Sequence, residues 1–221
     1  MTRQNRSIKF FTRTELTRIL QAAKERSARN YAMILIGYRH GMRPSEVCKL
    51  LIDKVDLDNG HILVVRLKNS IMTWQRLPSD EVIALRAWMA VRPNRDSKYV
   101  FCSRRGLPID RSQFYVEFRE IAGQAGIPPE RCRPHALKHS LGTHLAEGGI
   151  PVQIIQRRLG HRHIQNTMIY LSLADGIVDR AVAEAAEKGY VPMKSPSASY
   201  EPVTTGLPVI AARTTRPSAP C

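Results

Sequence analysis

Residues 30–41, NYAMILIGYRHG, constrain the fold more than any other stretch, because they are apolar on nearly every side. A helix with no polar face cannot lie at a surface, so the segment predicts a buried helix that ends at Gly41. Such a helix needs neighbours all round. A chain of 221 residues, 43% of them hydrophobic, is long enough to supply them in one folded domain.

The segments on either side of this stretch have helical periodicity. Thr12 and Glu15 form a capping-box pattern at the start of a first helix. Pro44 suits the first turn of another helix, which places Arg43 at the helix entry. Apolar residues at helical spacing predict further helices over residues 80–92, 111–125, 134–148, 151–160, 164–171 and 176–188.

A small β element interrupts the helices. Residues 56–60, DLDNG, have turn composition, and the β-rich runs 61–67 and 71–78 follow them. These runs predict a hairpin whose bend carries Lys68, Asn69 and Ser70. The expected fold is therefore mainly α with a small antiparallel β-hairpin or sheet, in the α+β class.

Composition divides the chain into three parts. Residues 1–11 form a basic N-terminal segment, and residues 12–190 contain the predicted elements. Residues 191–221 hold six prolines among Ser and Thr, with no helical period. Such a segment cannot bury enough apolar surface to fold, so we expect a disordered tail.

The charge of the chain limits its partners. Thirty-four Lys and Arg against 19 Asp and Glu give a net charge of +15 and a pI near 10.2. This excess indicates a polyanionic partner, of which nucleic acid is the commonest. Ribosomal-type and membrane-surface proteins share such a charge, but the hydrophobic content favours a folded domain over a basic tail.

The expected location is cytoplasmic. No apolar run approaches the length of a bilayer span, and the start MTRQNRSIKFF lacks the apolar block of a signal peptide. The four cysteines are scattered and form no CxxC pair: Cys48, Cys102, Cys132 and Cys221. We expect reduced, structural thiols.

The helix predicted at 134–148 has two different faces. Its apolar face carries leucines together with His144, which we interpret as a core histidine. The other face gathers His135, Lys138, His139 and Gly142 within about a third of the circumference. This second face is expected to be open to a ligand. For His139, structural support and substrate contact are both open.

Two chemistries compete for these residues. Histidines four apart on the helix, together with His161 and His163, could bind zinc, but HExxH and a carboxylate cluster are both missing. Metal-free attack on a phosphodiester needs a nucleophile, cations on the non-bridging oxygens and an acid for the leaving hydroxyl. The residues alone do not assign these roles, because a tyrosine such as Tyr170 usually packs in a core, and an Arg or Lys is usually a solvated surface charge.

Four motifs together resemble the catalytic domain of the tyrosine recombinase, or phage integrase, family. They are GMRPSEV (41–47), RLKNS (66–70), PHALKHSLGTHL (134–145) and LGHRHIQNTMIYLSL (159–173). Each motif alone is weak, whereas their order and spacing are specific. The resemblance covers about residues 10–190, which identifies residues 12–190 as the catalytic domain.

The resemblance implies a role for each matching residue. Arg43 corresponds to the first catalytic arginine, Lys68 to the hairpin general acid, and His135 to the histidine of a His-x-x-Arg motif. His161 corresponds to the histidine of the LGH motif, and Tyr170 to the nucleophile. Tyr170 would form a 3′-phosphotyrosyl link and release a 5′-hydroxyl. That link stores the bond energy, so neither ATP, nor a cofactor, nor a metal is expected.

The chain departs from the family pattern in two places. Lys138 stands where the family has its second arginine, which keeps the charge but loses the planar fork that binds two oxygens at once. Only 42 residues precede Arg43, where most relatives carry a further DNA-binding domain. This compact layout is similar to the short fimbrial phase-variation DNA invertases.

The implied function is a site-specific DNA recombinase, with inversion, integration or resolution as outcomes. Its implied partners are double-stranded DNA, a homotetramer on two DNA sites and accessory DNA-bending proteins, in a cytoplasmic, nucleoid-associated location. Two alternatives have the same fold. One is a DNA-binding regulator with weakened catalysis, for which Lys138 is the main support. The other is a topoisomerase IB-like nicking and closing enzyme without site specificity.

Overall fold

The computed structural model describes residues 9–67, 70–173 and 177–189, with backbone only for 177–181. Most of the predicted basic segment, the tail at 191–221 and the candidate acid Lys68 lie outside the described residues. Within them the chain is mostly helical, as expected. The helices are α1 (Arg13–Arg26), α2 (Ala28–Arg39), α3 (Pro44–Cys48), α4 (Ser79–Val91), α5 (Arg111–Gln124), α6 (His135–Glu147), α7 (Val152–Leu159), α8 (Gln165–Leu171) and α9 (Ile177–Glu187).

Helix α2 is the buried helix that the apolar stretch predicts. Residues 32–36 are at most 1% exposed, and α1, α3, α4, α5 and α6 all pack against the helix. The chain then turns at Gly41, whose N–H bonds to the Tyr38 carbonyl, and Met42 bonds back to Gly37. This turn places Arg43 directly before α3, as the N-cap of that helix.

The first helix begins with the predicted capping box. The Thr12 hydroxyl accepts from the Glu15 N–H at 3.2 Å, and the Glu15 carboxylate accepts from the Thr12 N–H at 2.9 Å. Ser27 then ends α1 and caps α2, since its hydroxyl accepts from the Asn30 N–H. The two helices are thus joined without a loop and pack on each other.

The sheet has one strand more than the predicted hairpin. Strands β1 (Val55–Asp56), β2 (His61–Val64) and β3 (Thr73–Arg76) are antiparallel in the order β1-β2-β3. β1 has only two residues, too few for a period-two pattern. The connection between β2 and β3 carries the RLKNS motif, and the N–H of Ile71 at its end donates to the Gly160 carbonyl at 3.1 Å.

The buried apolar residues form two clusters. The larger one surrounds α2 and extends from α1 to the start of α6. The smaller one lies where α6, α7 and α8 meet, and contains Leu141, Ala146, Ile155, Leu159 and Tyr170. No helix in the described part of the chain combines the length and apolar composition needed to cross a membrane.

Two isoleucines test whether α2 organises the core. Ile34 in α2 is fully buried, whereas Ile83 in α4 is 67% exposed. We expect Ile34→Ala to lower the free energy of unfolding by about 2–5 kcal/mol, because it leaves a cavity among packed side chains. Ile83→Ala should stay within about 0.5 kcal/mol of the parent. Urea unfolding measures both, and equal losses would contradict the central place of α2.

Candidate active site

Arg43 and Glu46 are paired at the entry of α3. The Glu46 carboxylate accepts from the Arg43 backbone N–H at 2.8 Å and from the Arg43 guanidinium at 2.6 Å. The same guanidinium donates to the Leu67 carbonyl and the Ser70 hydroxyl, both at 3.2 Å. Arg43 is therefore fixed against both ends of the hairpin bend, and 21% of its side chain remains exposed to meet an anion.

Glu46 is fully buried and surrounded by donors. Besides Arg43, it accepts from the Leu67 N–H and from the Arg66 guanidinium, both at 3.1 Å. Burial alone would raise the pKa of Glu46. The backbone N–H of Arg43, the charge of Arg66 and the N–H of Leu67 outweigh burial, so this pKa lies below its ordinary value. The surrounding donors therefore favour the ionised form of the buried Glu46 carboxyl.

Arg66 is a structural cation that sequence reasoning did not single out. Its side chain has no exposure, and its guanidinium donates to the carbonyls of Gly41, His40 and Arg158 at 2.6–2.8 Å. It thereby links the end of α2 to the end of α7. In the sequence, only its position two residues before Lys68 pointed to this role. An arginine on the surface can have the same sequence neighbours.

Lys138 does not lie on an open face as expected. The residue is 6% exposed, and its Nζ donates to the Leu159 carbonyl at the end of α7, at 2.8 Å. The expectation was wrong because α7 and α8 pack over this side of α6. Burial, followed by the nearby charges of Arg66 and Arg43, lowers the pKa of Lys138 to about 7.

His161 follows a turn that only glycine can make. Gly160 has a φ of +66°, and a Cβ there would lie 2.6 Å from the Ile71 carbonyl oxygen and 2.8 Å from Nε of Arg66. The Nδ1 of His161 is 3.0 Å from the Thr167 hydroxyl. Burial first, then the charges of Lys138 and its neighbours, lowers the pKa of His161 to about 3, so the ring is neutral.

The side chain of Tyr170 is buried in the core, and its hydroxyl has a hydrogen-bond partner. It is 1% exposed and its ring lies flat on α6 at Gly142, where a Cβ would be 2.6–2.7 Å from three ring carbons. The His161 ring stacks nearly parallel to it, with centroids 6.3 Å apart. The Tyr170 hydroxyl lies 3.2 Å from Nδ1 of His139. Burial raises the pKa of Tyr170, so the phenol keeps its proton at neutral pH.

The histidines of α6 occupy three environments. His135, the first residue of the helix, is exposed and lines a surface pocket with Pro44 and Tyr115. His139 is half-buried against Tyr170. His144 is buried, and its Nδ1 lies 2.9 Å from the Tyr38 hydroxyl, which confirms the interpretation of a core histidine.

The structure brings four candidate residues into one electrostatic cluster. Arg43 influences the pKa of Lys138, His161 and Tyr170, and Lys138 influences that of His161. His135 lies at the exposed rim, beside Pro44. In the part of the chain that the structure describes, no three His, Cys, Asp or Glu side chains converge as a metal-binding group.

Comparison with known proteins shows the family of the chain. The model of the phage integrase family matches residues 9–176. The chain belongs to the phage integrase family. It is 40% identical over 186 residues to the type 1 fimbriae regulatory protein FimB of Escherichia coli K12, covering 80% of this chain and 92% of that protein. It is 38% identical over 168 residues to FimE of the same strain, covering 73% and 84%.

Solved structures agree with the family assignment. The crystal structure of XerA recombinase superposes with a TM-score of 0.69 at 27% identity, over 84% of this chain and 66% of that one. XerH site-specific recombinase bound to palindromic difH substrate has a TM-score of 0.70 at 23% identity, over 81% and 54%, which supports the fold. The expected tyrosine recombinase fold and the resemblance to fimbrial proteins are therefore confirmed.

Substitution of Gly142 tests how the Tyr170 ring packs on α6, and substitution of Gly123 is the matched control. Both glycines are inside helices, but a Cβ at Gly123 meets nothing within 4 Å. We expect Gly142→Ala to lower the free energy of unfolding by about 1–3 kcal/mol, because the methyl group overlaps the ring. Gly123→Ala should raise it by about 0.5–1 kcal/mol through helix propensity. Equal effects in urea unfolding would contradict the described packing.

Proposed function

We propose that this chain is a site-specific DNA recombinase that cuts and rejoins duplex DNA through a 3′-phosphotyrosyl intermediate on Tyr170. The observation that carries the proposal is the Tyr170 hydroxyl, which is hydrogen-bonded to a histidine inside a cluster of cations. A neutral phenol beside buried positive charge suits attack on an anionic phosphodiester, because the cations stabilise the charge that develops. Family membership and the net charge of +15 support DNA as the substrate.

Each residue of the cluster has a distinct task in this proposal. Arg43, oriented by Glu46, presents the exposed part of its fork to a non-bridging oxygen. Lys138 has three N–H donors and gives one to Leu159, which leaves two for the phosphate. His161 has Nδ1 engaged with Thr167, which leaves Nε2 for the phosphate.

The remaining two candidates act at the edges of the site. His135 is exposed at the start of α6, where a phosphate of the DNA backbone can reach it. Lys68 would protonate the 5′-oxygen as the P–O5′ bond breaks, because its place in the sequence matches the family's hairpin general acid. Rejoining runs through the same groups in reverse.

The proposed outcome is inversion of a short DNA segment, with integration and resolution as the other outcomes to be tested. The similarity to two regulatory proteins of type 1 fimbriae supports inversion. We further propose a homotetramer on two DNA sites, with accessory DNA-bending proteins. A DNA-cutting enzyme must reach the chromosome, so the proposed location is cytoplasmic and nucleoid-associated.

One observation favours a second candidate function, a DNA-binding regulator with weakened catalysis. Lys138 donates to a backbone carbonyl and has a pKa near neutrality, so its charge is partly lost above pH 7. An arginine would keep its charge at any such pH. Covalent trapping on DNA separates the candidates, because a regulator binds without forming an adduct.

Tyr170→Phe tests the nucleophile. We expect it to abolish the covalent protein–DNA adduct while leaving DNA affinity nearly unchanged, because binding is spread over many phosphate contacts. Tyr38→Phe is the control, since Tyr38 also bonds to a histidine of α6 but lies outside the cluster. Adducts are measured by denaturing gel with fragments of the host genome, in EDTA. An undiminished adduct in Tyr170→Phe would exclude this role.

Lys138 tests whether the buried lysine supplies charge to the phosphate. Lys138→Ala should slow adduct formation by about a hundredfold or more, the scale of losing one preorganised donor. Lys138→Arg should equal or exceed the parent at pH 7. Its advantage should grow as pH rises, because the parent lysine loses its proton through a pKa near 7 and arginine does not. An Ala variant as fast as the parent would make Lys138 purely structural.

A further inference from the structure

A buried pair of titratable side chains joins the end of α2 to the start of α4, outside the cluster of candidate catalytic residues. Nε2 of His40 lies 2.6 Å from the Glu81 carboxylate, and neither side chain has any exposure. Glu81 also accepts from the guanidinium of Arg39 at 3.2 Å. The catalytic roles proposed above use none of these three residues.

The other ring nitrogen of His40 faces strand β3. Its Nδ1 lies 2.8 Å from Oε1 of Gln75, which is 5% exposed. The Gln75 amide nitrogen donates to the Thr73 hydroxyl at 2.8 Å and to the Arg158 carbonyl at 3.0 Å. A flipped amide would place its oxygen against the Arg158 carbonyl, so the Gln75 oxygen has to point to His40.

The contacts of His40 require a proton on each ring nitrogen. An amide oxygen and an ionised carboxylate can only accept hydrogen bonds, so both nitrogens have to donate. With one proton fewer, the ring would turn a lone pair towards an oxygen of Gln75 or Glu81 at 2.6–2.8 Å. The arrangement therefore depends on the protonation of His40 as well as on its shape.

This pair lies between two segments of the candidate active site. His40 is three residues before Arg43. Gln75 donates to the carbonyl of Arg158, which is three residues before His161. A continuous chain of hydrogen bonds therefore connects the segment before Arg43 to the segment before His161.

Stability alone does not account for a buried pair of this kind. Taking two charges out of water costs free energy that their attraction does not always return, and apolar side chains of similar volume are often as stable. Hydrogen bonds, in contrast, are directional, so each donor has to meet its acceptor in one arrangement of the packed elements. The contacts of His40 are therefore suited to fixing a geometry.

We propose that His40 is a positioning residue for DNA cleavage. By donating through both ring nitrogens it holds α4 and β3 against the end of α2, and Gln75 extends this contact to the end of α7. Arg43 and His161 thereby keep the relative placement in which both can contact one phosphate. The assignment rests on the proposed function, and His40 itself touches neither the DNA nor the reacting atoms.

Paired substitutions separate positioning from stability. His40→Met leaves the buried Glu81 carboxylate without its histidine, so it should lower the urea midpoint and slow single-turnover adduct formation. Combining His40→Met with Glu81→Met removes both groups and should return the urea midpoint towards the parent value. At saturating DNA the double variant should still form the adduct about ten- to a hundredfold more slowly than the parent, the scale of a misplaced reacting group. Its DNA affinity should be unchanged. A double variant with the parent rate would overturn the proposal.

Gln75→Met tests the same link while the buried pair stays intact. It removes the contact of His40 with β3 and the bond to the Arg158 carbonyl, so adduct formation should slow by a similar factor. The parent rate in this variant would contradict the proposal, whether or not the double variant folds. His144→Met is the control, because His144 is also buried but is bonded to Tyr38 outside this network. Equal slowing in the control would show that loss of any buried histidine has this effect, and His40 would have no special role.

The ring protons give a spectroscopic readout. In protein with ¹⁵N-labelled histidine, two imidazole N–H resonances at neutral pH should be present in the parent and missing from the double variant. A single such resonance would exclude donation through both nitrogens. A parent that forms no adduct would overturn the proposed function and this role with it. An active parent with equally active variants would overturn the role of His40 alone.

Discussion

Glu46 places a negative charge without solvent exposure between two arginines, and the geometry of the site depends on that charge. It orients Arg43 at the entry of α3 and fixes the Leu67 N–H at the hairpin. Removing one partner of such a group would leave the others buried and uncompensated, at a cost of about 3–5 kcal/mol. The carboxylate therefore couples a helix end to a hairpin that is distant in sequence.

Two buried cations also hold the end of α7 in place. Arg66, paired with Glu46, donates to the Arg158 carbonyl, and Lys138 donates to the Leu159 carbonyl. Carbonyls in the last turn of a helix have no partners within it, and the helix dipole favours positive charge there. The two cations therefore fix the turn that presents His161. The bond to Leu159 also gives the buried Nζ of Lys138 an acceptor.

The burial of Tyr170 has two opposite effects on the proposed reaction. Packing the ring on Gly142 and beside His161 holds the hydroxyl in one place, which favours reaction through positioning. The same burial raises the pKa of the phenol and makes its proton harder to remove.

The sequence by itself determined the helices, because their apolar periodicity and caps are local. It also determined the family, because Arg43, His161 and Tyr170 lie at family spacings. It did not determine β1, which is too short for a pattern, or the burial of Lys138.

The tertiary structure alone decided which groups meet. Glu46 and Arg66 are 20 residues apart, and His139 and Tyr170 are 31 apart. Their contacts depend on how α3 meets the hairpin and how α8 packs on α6. A periodic pattern specifies which face of a helix is buried, but not which side chain from another element will cover it.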